Sequence, residues 1–281
     1  MSFIPTAVAA VLGIVLSFFV VGLVSLAGTR ASAPTMVISR TAFGVRGNAV
    51  PTFVSYLVCV GWEIAIVVTT VLAANTVFAR LGWPSGGAVE VVVFVVAVGV
   101  VMVAGVFGFR LVTRFQSFVT VVSIAMTIAF IALTIDNVNW TSLGRIEGVS
   151  VAGCIGAGVI AGAAFGLSWT NSGADYSRYL PRGSSGRGIV GWTTFAGSLM
   201  PSVLVIYGLM LVTSDPSLVG QLDTNPIGAL MSLLPTSALI LLLFLLALSL
   251  AATVAGRTTR ASTYSTRVDA MDRWAGPRSA A

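Results

Sequence analysis

The sequence has no histidine, no lysine and only two cysteines, and charged residues make up 9% of it. Without histidine, a Ser-His-Asp hydrolase and a zinc site are both excluded. Cys59 and Cys154 lie within apolar runs, where a free cysteine usually behaves as a small buried hydrophobe. We therefore expect no redox or metal role for either cysteine, and few kinds of enzyme chemistry remain.

Hydrophobic residues are abundant instead: they make up 57% of the sequence, and the mean hydropathy is +1.00. A bilayer core about 30 Å thick requires helices of about 20 apolar residues. Seven runs of this kind are found, at 5–27, 50–77, 89–109, 115–135, 149–171, 189–213 and 227–255. They are apolar on every side, unlike the alternating strands of a membrane β-barrel. The sequence therefore predicts an all-α polytopic membrane protein with about seven transmembrane helices.

The arginines are divided unequally between the two sides that these helices would connect. When the connections are assigned alternately, Arg80 and Arg145 fall on one side and all other arginines on the other. The arginine-rich side receives Arg30, Arg40, Arg46, Arg110, Arg114, Arg178, Arg182, Arg187, Arg257, Arg260, Arg267, Arg273 and Arg278. Short cytoplasmic loops are rich in arginine and lysine. We therefore predict a multi-pass protein of the inner (plasma) membrane with its amino terminus outside and its carboxyl terminus in the cytoplasm.

This topology has two consequences for the organisation of the chain. Residues 1–256 are predicted to form a single transmembrane domain, and residues 257–281 a polar cytoplasmic tail. The net charge of +6 reflects the arginine-rich cytoplasmic loops and not nucleic-acid binding. We therefore expect the lipid bilayer, and no nucleic acid, as a partner. Because an uncharged outside terminus normally follows a helix that crossed first, we expect a preceding helix to be absent from this sequence.

Glu63 is the one charged residue near the middle of a predicted span, beside Trp62 in the stretch GWEIAIV. A charge at this depth costs about 2.5–3.5 kcal/mol on insertion scales, so it requires a reason. In the functional interpretation, Trp62 offers a flat face to a ligand and Glu63 accepts hydrogen bonds or a proton. In the structural interpretation, a neighbouring helix satisfies Glu63 and Trp62 is packing. Adjacent helical positions point about 100° apart, so Trp62 shares its face with Ile66 and not with Glu63.

The fifth predicted span is rich in glycine and ends in the polar stretch SWTNS. Gly158, Gly162 and Gly166 form a small-xxx-small face that allows another backbone to approach closely. Alternatively, the glycines mark a discontinuous helix that exposes backbone groups near the middle of the membrane. The polar residues downstream favour the discontinuous helix.

The stretch GADYSRYLPR at 173–182 concentrates charge in an apolar chain. Asp175 and Arg178 are three residues apart and can pair on one helical turn, which Pro181 ends. This cytoplasmic motif is either a topological anchor or an inner latch whose partners change with conformation. The sequence alone favours the anchor.

Ser249 and Thr253 form a hydroxyl pair four residues apart in the last predicted span. Hydroxyls in such positions commonly bond to carbonyls of their own helix. A sodium ion would use the same oxygens, so both interpretations stay open.

Three stretches together carry a family resemblance: LAGTRASAPTMVISRTAFGVRG at 26–47, GWEIAIV at 61–67 and SWTNSGADYSRYLPR at 168–182. They resemble the nucleobase:cation symporter-1 family, in its purine-cytosine permease branch. The resemblance implies part of a leucine-transporter-like fold with a five-plus-five inverted repeat, in which the seven spans correspond to helices two to eight. It also implies secondary active uptake of a nucleobase such as cytosine or a purine, or of a heterocycle such as allantoin or hydantoin. Na⁺ or H⁺ would be the coupling ion, and no cofactor is implied.

Individual residues acquire expected roles through this resemblance. Trp62 corresponds to the tryptophan that stacks on the heterocycle, and Ile66 takes a position where some members place glutamine. The unwound middle of the family's sixth helix falls near Phe165 and Gly166, and its cation ligands fall near Ser249 and Thr253. Glu63 would tune or carry a proton.

Two alternatives to an active permease follow from the residues. The family's first helix and helices nine to twelve have no counterpart here, so the chain could be a truncated fragment that inserts without transporting. An intramembrane enzyme is not expected, because Glu63 stands alone where a paired carboxylate or an activated nucleophile would be needed.

Overall fold

The computed structural model describes residues 3–106, 108–141, 150–224 and 226–234, and all regular structure within these ranges is helical. The α-helices are α1 (Phe3–Ala31), α2 (Thr35–Ile38), α3 (Arg40–Gly47), α4 (Ala49–Arg80), α5 (Gly87–Val106), α6 (Gly108–Thr134), α7 (Val151–Ala164), α8 (Gly173–Ser177), α9 (Gly186–Ser214), α10 (Ser217–Thr224) and α11 (Pro226–Ser232). Two 3₁₀ helices cover Ile135–Asn137 and Leu167–Ser172.

Several of these helices are long and apolar enough to cross a membrane. The candidate spans are Phe3–Ala31, Ala49–Arg80, Thr120–Asn137, Val151–Ser177 and Gly186–Ser214, and Gly87–Gly99 is a shorter apolar helix. The prediction of an all-α polytopic membrane protein is confirmed. Of the seventh predicted span, most lies outside the described residues, as does the predicted tail at 257–281.

The chain forms two compact units, one of residues 1–57 and 136–220 and one of residues 58–135 and 221–281. In the first unit, α1 has a buried stripe along its length. The stripe consists of Thr6, Ala7, Ala10, Ile14, Ser17, Val21, Gly22, Ser25, Gly28 and Thr29. Its three- and four-residue spacing is that of one helix face, whereas Val8, Leu12 and Leu16 are exposed, as suits a lipid-facing side.

Helix α1 packs against two partners in the first unit, α9 and the segment 151–177. Contacts with α9 are antiparallel, since Gly22 approaches Val190 and Phe18 approaches Gly197. Contacts between α1 and the segment 151–177 are parallel. Thr6 Oγ1 lies 3.5 Å from Cys154 Sγ, and Thr29 Oγ1 donates to Ser177 O at 3.1 Å, both across 148 residues. The segment is therefore parallel to α1 and in register with it along its whole length.

These directions agree with a chain that crosses the membrane alternately, because the first and fifth predicted spans are parallel and the sixth is antiparallel to both. The side on which the amino terminus lies stays a prediction.

In the second unit, the residues of α4 after position 57 pack against α5 around Val67 and Ala97. Asn75 closes the connection between the two helices. Its Nδ2 donates to Glu90 Oε1 at 2.7 Å, and its Oδ1 accepts from the Gly86 amide at 2.8 Å. Gly86 has a φ of 110°, a left-handed conformation that glycine adopts without strain.

Candidate functional site

The segment 151–177 is interrupted in its middle. Ser150 caps the start of α7 by accepting from the Gly153 amide at 3.1 Å, and α7 ends at Ala164. Phe165 has φ −93° and ψ −78°, outside the range of a regular helix, and a 3₁₀ helix begins at Leu167. The interruption predicted at Phe165 and Gly166 is therefore present.

Hydroxyl groups compensate for the backbone bonds that the interruption disturbs. Ser168 Oγ lies 3.0 Å from Ala164 O and 2.9 Å from Phe165 O. Thr170 Oγ1 donates to Leu167 O at 2.7 Å. Each carbonyl oxygen has two lone pairs, so the carbonyls of Ala164 and Phe165 can accept a further hydrogen bond from a ligand. The polar cluster that the sequence placed after the glycines thus holds the interrupted backbone.

The glycines of this segment also pack against α1, so the segment combines close packing with an interruption of the helix. A Cβ at Gly158 would lie 2.7 Å from Ala9 O, and one at Gly162 would lie 2.9 Å from Gly13 O. At Gly166 a Cβ would collide with Ser17. Only glycine permits this approach, and the small-xxx-small face is the contact surface with α1.

Phe165 belongs to the core of the first unit through its side chain. The half-buried ring packs against a cluster of Ala10, Ile14 and Ala161. Gly166 is buried against Ser17, and a role for Phe165 or Gly166 in substrate binding stays a prediction.

Trp62, Glu63 and Ile66 lie on the part of α4 that belongs to the second unit. The Trp62 side chain is 38% exposed and Glu63 is half-buried. Ile66 is half-buried and packs against the Val67 and Ala97 cluster, toward α5. Its position thus serves helix packing, and a role for it in binding stays a prediction.

The charged stretch at 173–182 is joined to the connection after α1. The Thr35 amide donates to Asp175 Oδ1 at 2.9 Å, and the Ala174 amide donates to Thr35 Oγ1 at 3.3 Å. Arg182 Nε donates to Ser32 Oγ at 2.9 Å, and Arg30 Nη1 donates to Arg182 O. Two of the three stretches that carry the family resemblance therefore meet in space.

Arg178 lies beside these contacts, with its guanidinium carbon 4.6 Å from the centroid of the Tyr179 ring. It also donates to the Tyr179 hydroxyl. The expected pairing of Arg178 with Asp175 stays a prediction.

Sequence patterns did not reveal the residues that hold the second half of the interrupted segment. Besides Thr35 and Ser32, they include Thr29, which donates to Ser177 O, and Ser55. The Oγ of Ser55 accepts from Asn171 Nδ2 at 2.9 Å. These hydroxyl residues carry no charge and no special spacing. The only signal for them was that two specific motifs occur together in one chain.

The proposed cation ligands Ser249 and Thr253 lie outside the described residues. Within the described residues, no group of three or more His, Cys, Asp and Glu side chains is placed to hold a metal ion.

Comparison with known proteins identifies relatives of the chain. A family model described as "Permease for cytosine/purines, uracil, thiamine, allantoin" matches residues 1–270. YxlA of Bacillus subtilis (strain 168), named as a candidate purine-cytosine permease, is 27% identical over 194 residues, which are 67% of this chain and 39% of the relative. Purine-cytosine permease FCY21 of Saccharomyces cerevisiae is 23% identical over 226 residues, which are 77% of this chain and 42% of the relative. The chain thus spans less than half the length of these curated relatives, and no solved structure matches it significantly.

Proposed function

Because the chain belongs to the family of permeases for cytosine and purines, uracil, thiamine and allantoin, we propose that it acts in cation-coupled uptake of a nucleobase or related heterocycle. Cytosine, a purine, allantoin or hydantoin would be the substrate. The observation that carries the proposal is the interruption at Phe165 and Gly166, because a broken helix exposes backbone groups to small polar molecules within the membrane.

The substrate would be recognised by chemistry suited to a flat heterocycle. Carbonyls at the interruption would accept hydrogen bonds from ring N–H groups. Independently of that contact, the exposed Trp62 face is suited to stacking on a flat ring, an interaction worth about 1–3 kcal/mol per base in other proteins. Specific recognition of one heterocycle requires the hydrogen bonds, since stacking accepts any flat ring.

The direct test is uptake of labelled cytosine, adenine, allantoin and hydantoin into cells that express this chain. We expect saturable uptake of at least one compound, and a 5- to 100-fold loss of apparent affinity in Trp62→Ala, roughly the range expected when a stacking contact is removed. Trp62→Phe keeps an aromatic face and should retain part of the affinity. Trp192→Ala is the matched control, because Trp192 is 71% exposed on α9. Equal uptake by Trp62→Ala and the control would remove Trp62 from the binding role.

Glu63 is proposed to carry or tune the coupling proton, with Na⁺ bound near Ser249 and Thr253 as the other possible coupling. In the proton case, Glu63→Gln should flatten the pH dependence of uptake while the chain still reaches the membrane. An unchanged pH profile in Glu63→Gln would end this assignment. A dependence of uptake on external Na⁺ would favour the hydroxyl pair.

The second candidate is a chain that inserts but transports nothing alone. The chain spans less than half the length of the curated relatives, and in inverted-repeat transporters one repeat moves against the other. A chain that reaches the membrane and imports none of the four compounds would support this candidate. The DNA sequence on either side of the gene would reveal whether further helices of the family are encoded beside it.

A further inference from the structure

Thr35 and Asp175 form a reciprocal pair of hydrogen bonds between two helix starts. Thr35 is the first residue of α2, and its amide donates to Asp175 Oδ1 at 2.9 Å. Ala174 is the second residue of α8, and its amide donates to Thr35 Oγ1 at 3.3 Å. The first amides of any helix lack partners within the helix, so each bond satisfies a donor that its own helix cannot.

Neither helix is capped by the residue that precedes it. Pro34 before α2 and Ser172 before α8 make no side-chain cap bond. In an ordinary capping box, one hydroxyl residue caps the helix it precedes, and an acidic or amide side chain three residues later reaches back to its amide. Here the hydroxyl comes from Thr35 and the carboxylate from Asp175, 140 residues away. The box is therefore shared between two segments.

The surroundings make this shared box costly to lose. Ala174 is fully buried, and a Cβ at Gly28 of α1 would lie only 2.5 Å from Ala174 Cα, so the two backbones touch. Pro34 and Met36, which flank Thr35 in the sequence, are buried, and Thr35 and Asp175 are half-buried. Loss of a partner would leave the buried Ala174 amide without its bond to Thr35, which is destabilising.

Helical turns join the box to the interruption. The 3₁₀ helix Leu167–Ser172 leads directly into α8, so no flexible loop separates Gly166 from Asp175. Ser172 between them is fully buried. A shift at the box would therefore be transmitted along the backbone to Phe165 and Gly166.

We propose that Thr35 and Asp175 are positioning residues. Their shared capping box fixes the position of the interrupted backbone along the axis of α1. This inference rests on the proposed function only for its effect on uptake, where loss of the box raises the apparent KM more than it lowers the maximal rate. The structural part is independent of transport. A surface anchor would instead hold α8 alone and leave the interruption unaffected.

The test measures amide hydrogen exchange of the full chain in lipid nanodiscs. In Thr35→Val and in Asp175→Ala, exchange over 165–177 should rise about 5- to 30-fold, as expected for the loss of one cap, while 151–164 stays unchanged. Thr35→Ser should restore protection, and the double variant should exchange no faster than the more affected single variant. Thr41→Val is the matched control, because its hydroxyl bonds to Ile38 O of its own segment and lies outside the box.

Faster exchange confined to 173–177, with 165–172 unchanged, would overturn the proposal in favour of an anchor. Equal effects of Thr41→Val would overturn it as well. If Thr35→Val and Asp175→Ala do not reach the membrane, Asp175→Asn provides the test, because it keeps an acceptor oxygen and should give a smaller rise over the same residues. No rise over 165–172 in that variant would also count against the proposal. Because exchange is read without substrate, a chain that imports nothing still gives a decisive result.

Discussion

The two halves of the interrupted segment contact α1 by different means. The first half, 151–164, approaches α1 through bare glycine backbone at Gly158 and Gly162. The second half, 167–177, is tied to α1 and α2 by hydrogen bonds, among them those of Thr29 and Thr35. Close backbone approach dominates in the first half, where Thr6 Oγ1 also lies 3.5 Å from Cys154 Sγ. In the second half, hydrogen bonds are added to the close approach of Gly28 and Ala174. A segment that combines both kinds of contact can be closely packed before the interruption, while the part after the interruption can change its hydrogen bonds separately.

The largest expected effect comes from adding side-chain volume at a glycine of the first half, where the contact with α1 requires bare backbone. Gly158→Leu would force a side chain into the Ala9 carbonyl, and we expect a loss of about 3 kcal/mol or more in the free energy of unfolding, together with poor membrane yield. Gly156→Ala is the control, because a Cβ at Gly156 meets nothing within 4 Å and alanine favours helix. Thermal unfolding in detergent measures both. Equal stability of the two variants would contradict a glycine contact.

Removal of one buried hydroxyl tests the second half. Thr29 is fully buried, and its hydroxyl lies 3.1 Å both from Ser177 O and from Ser25 O of its own helix. Thr29→Val keeps the volume and loses the bond, so we expect a decrease of about 1–2 kcal/mol in the free energy of unfolding. Thr70→Val is the control: Thr70 is 9% exposed and its hydroxyl bonds to Ile66 O of its own helix, so its effect should be smaller. A larger loss in Thr70→Val would indicate that the bond between segments is not a main stabilising contact.

The smallest effect is expected from Ser25. Its hydroxyl donates to Gly173 O at 3.3 Å, near the long end of the hydrogen-bond range, so Ser25→Ala should cost about 0.5–1 kcal/mol. Ser198→Ala on α9 is the control, since this equally buried serine bonds to Phe195 O of its own helix. Urea or thermal unfolding of both variants resolves the difference. A cost above that of Thr29→Val would reverse the ranking of polar contacts in this half.

Local patterns predicted the helices and the interruption well. Long apolar runs require helices in lipid, and the glycines followed by SWTNS favour a break in this span, which the family resemblance placed near Phe165 and Gly166. The shared capping box was not predictable in the same way. Periodicity relates residues three or four apart, so it predicted the pairing of Asp175 with Arg178, which stays a prediction. It gave no sign that Asp175 Oδ1 accepts from the amide of Thr35, 140 residues earlier.

Ile66 illustrates a second limit of sequence reasoning. Its spacing from Trp62 correctly placed both on one face of α4, but it could not reveal that α5 packs against Ile66 through Val67 and Ala97. One face of a helix can pack against a neighbour along one edge and stay exposed along the other edge. The position of the neighbouring helix determines which residues of the face are buried.

The constant offset of 148 residues between α1 and its parallel neighbour makes insertions unequal in their consequences. One extra residue between Ser17 and Ser25 would rotate everything beyond it by about 100° and turn Ser25 and Thr29 away from their partners, while the glycine contacts of Ala9 and Gly13 stayed in place. The same residue added to the connection between Trp83 and Gly86 would leave every one of these pairings untouched. Length variation among related chains should therefore accumulate in such connections and be rare inside α1.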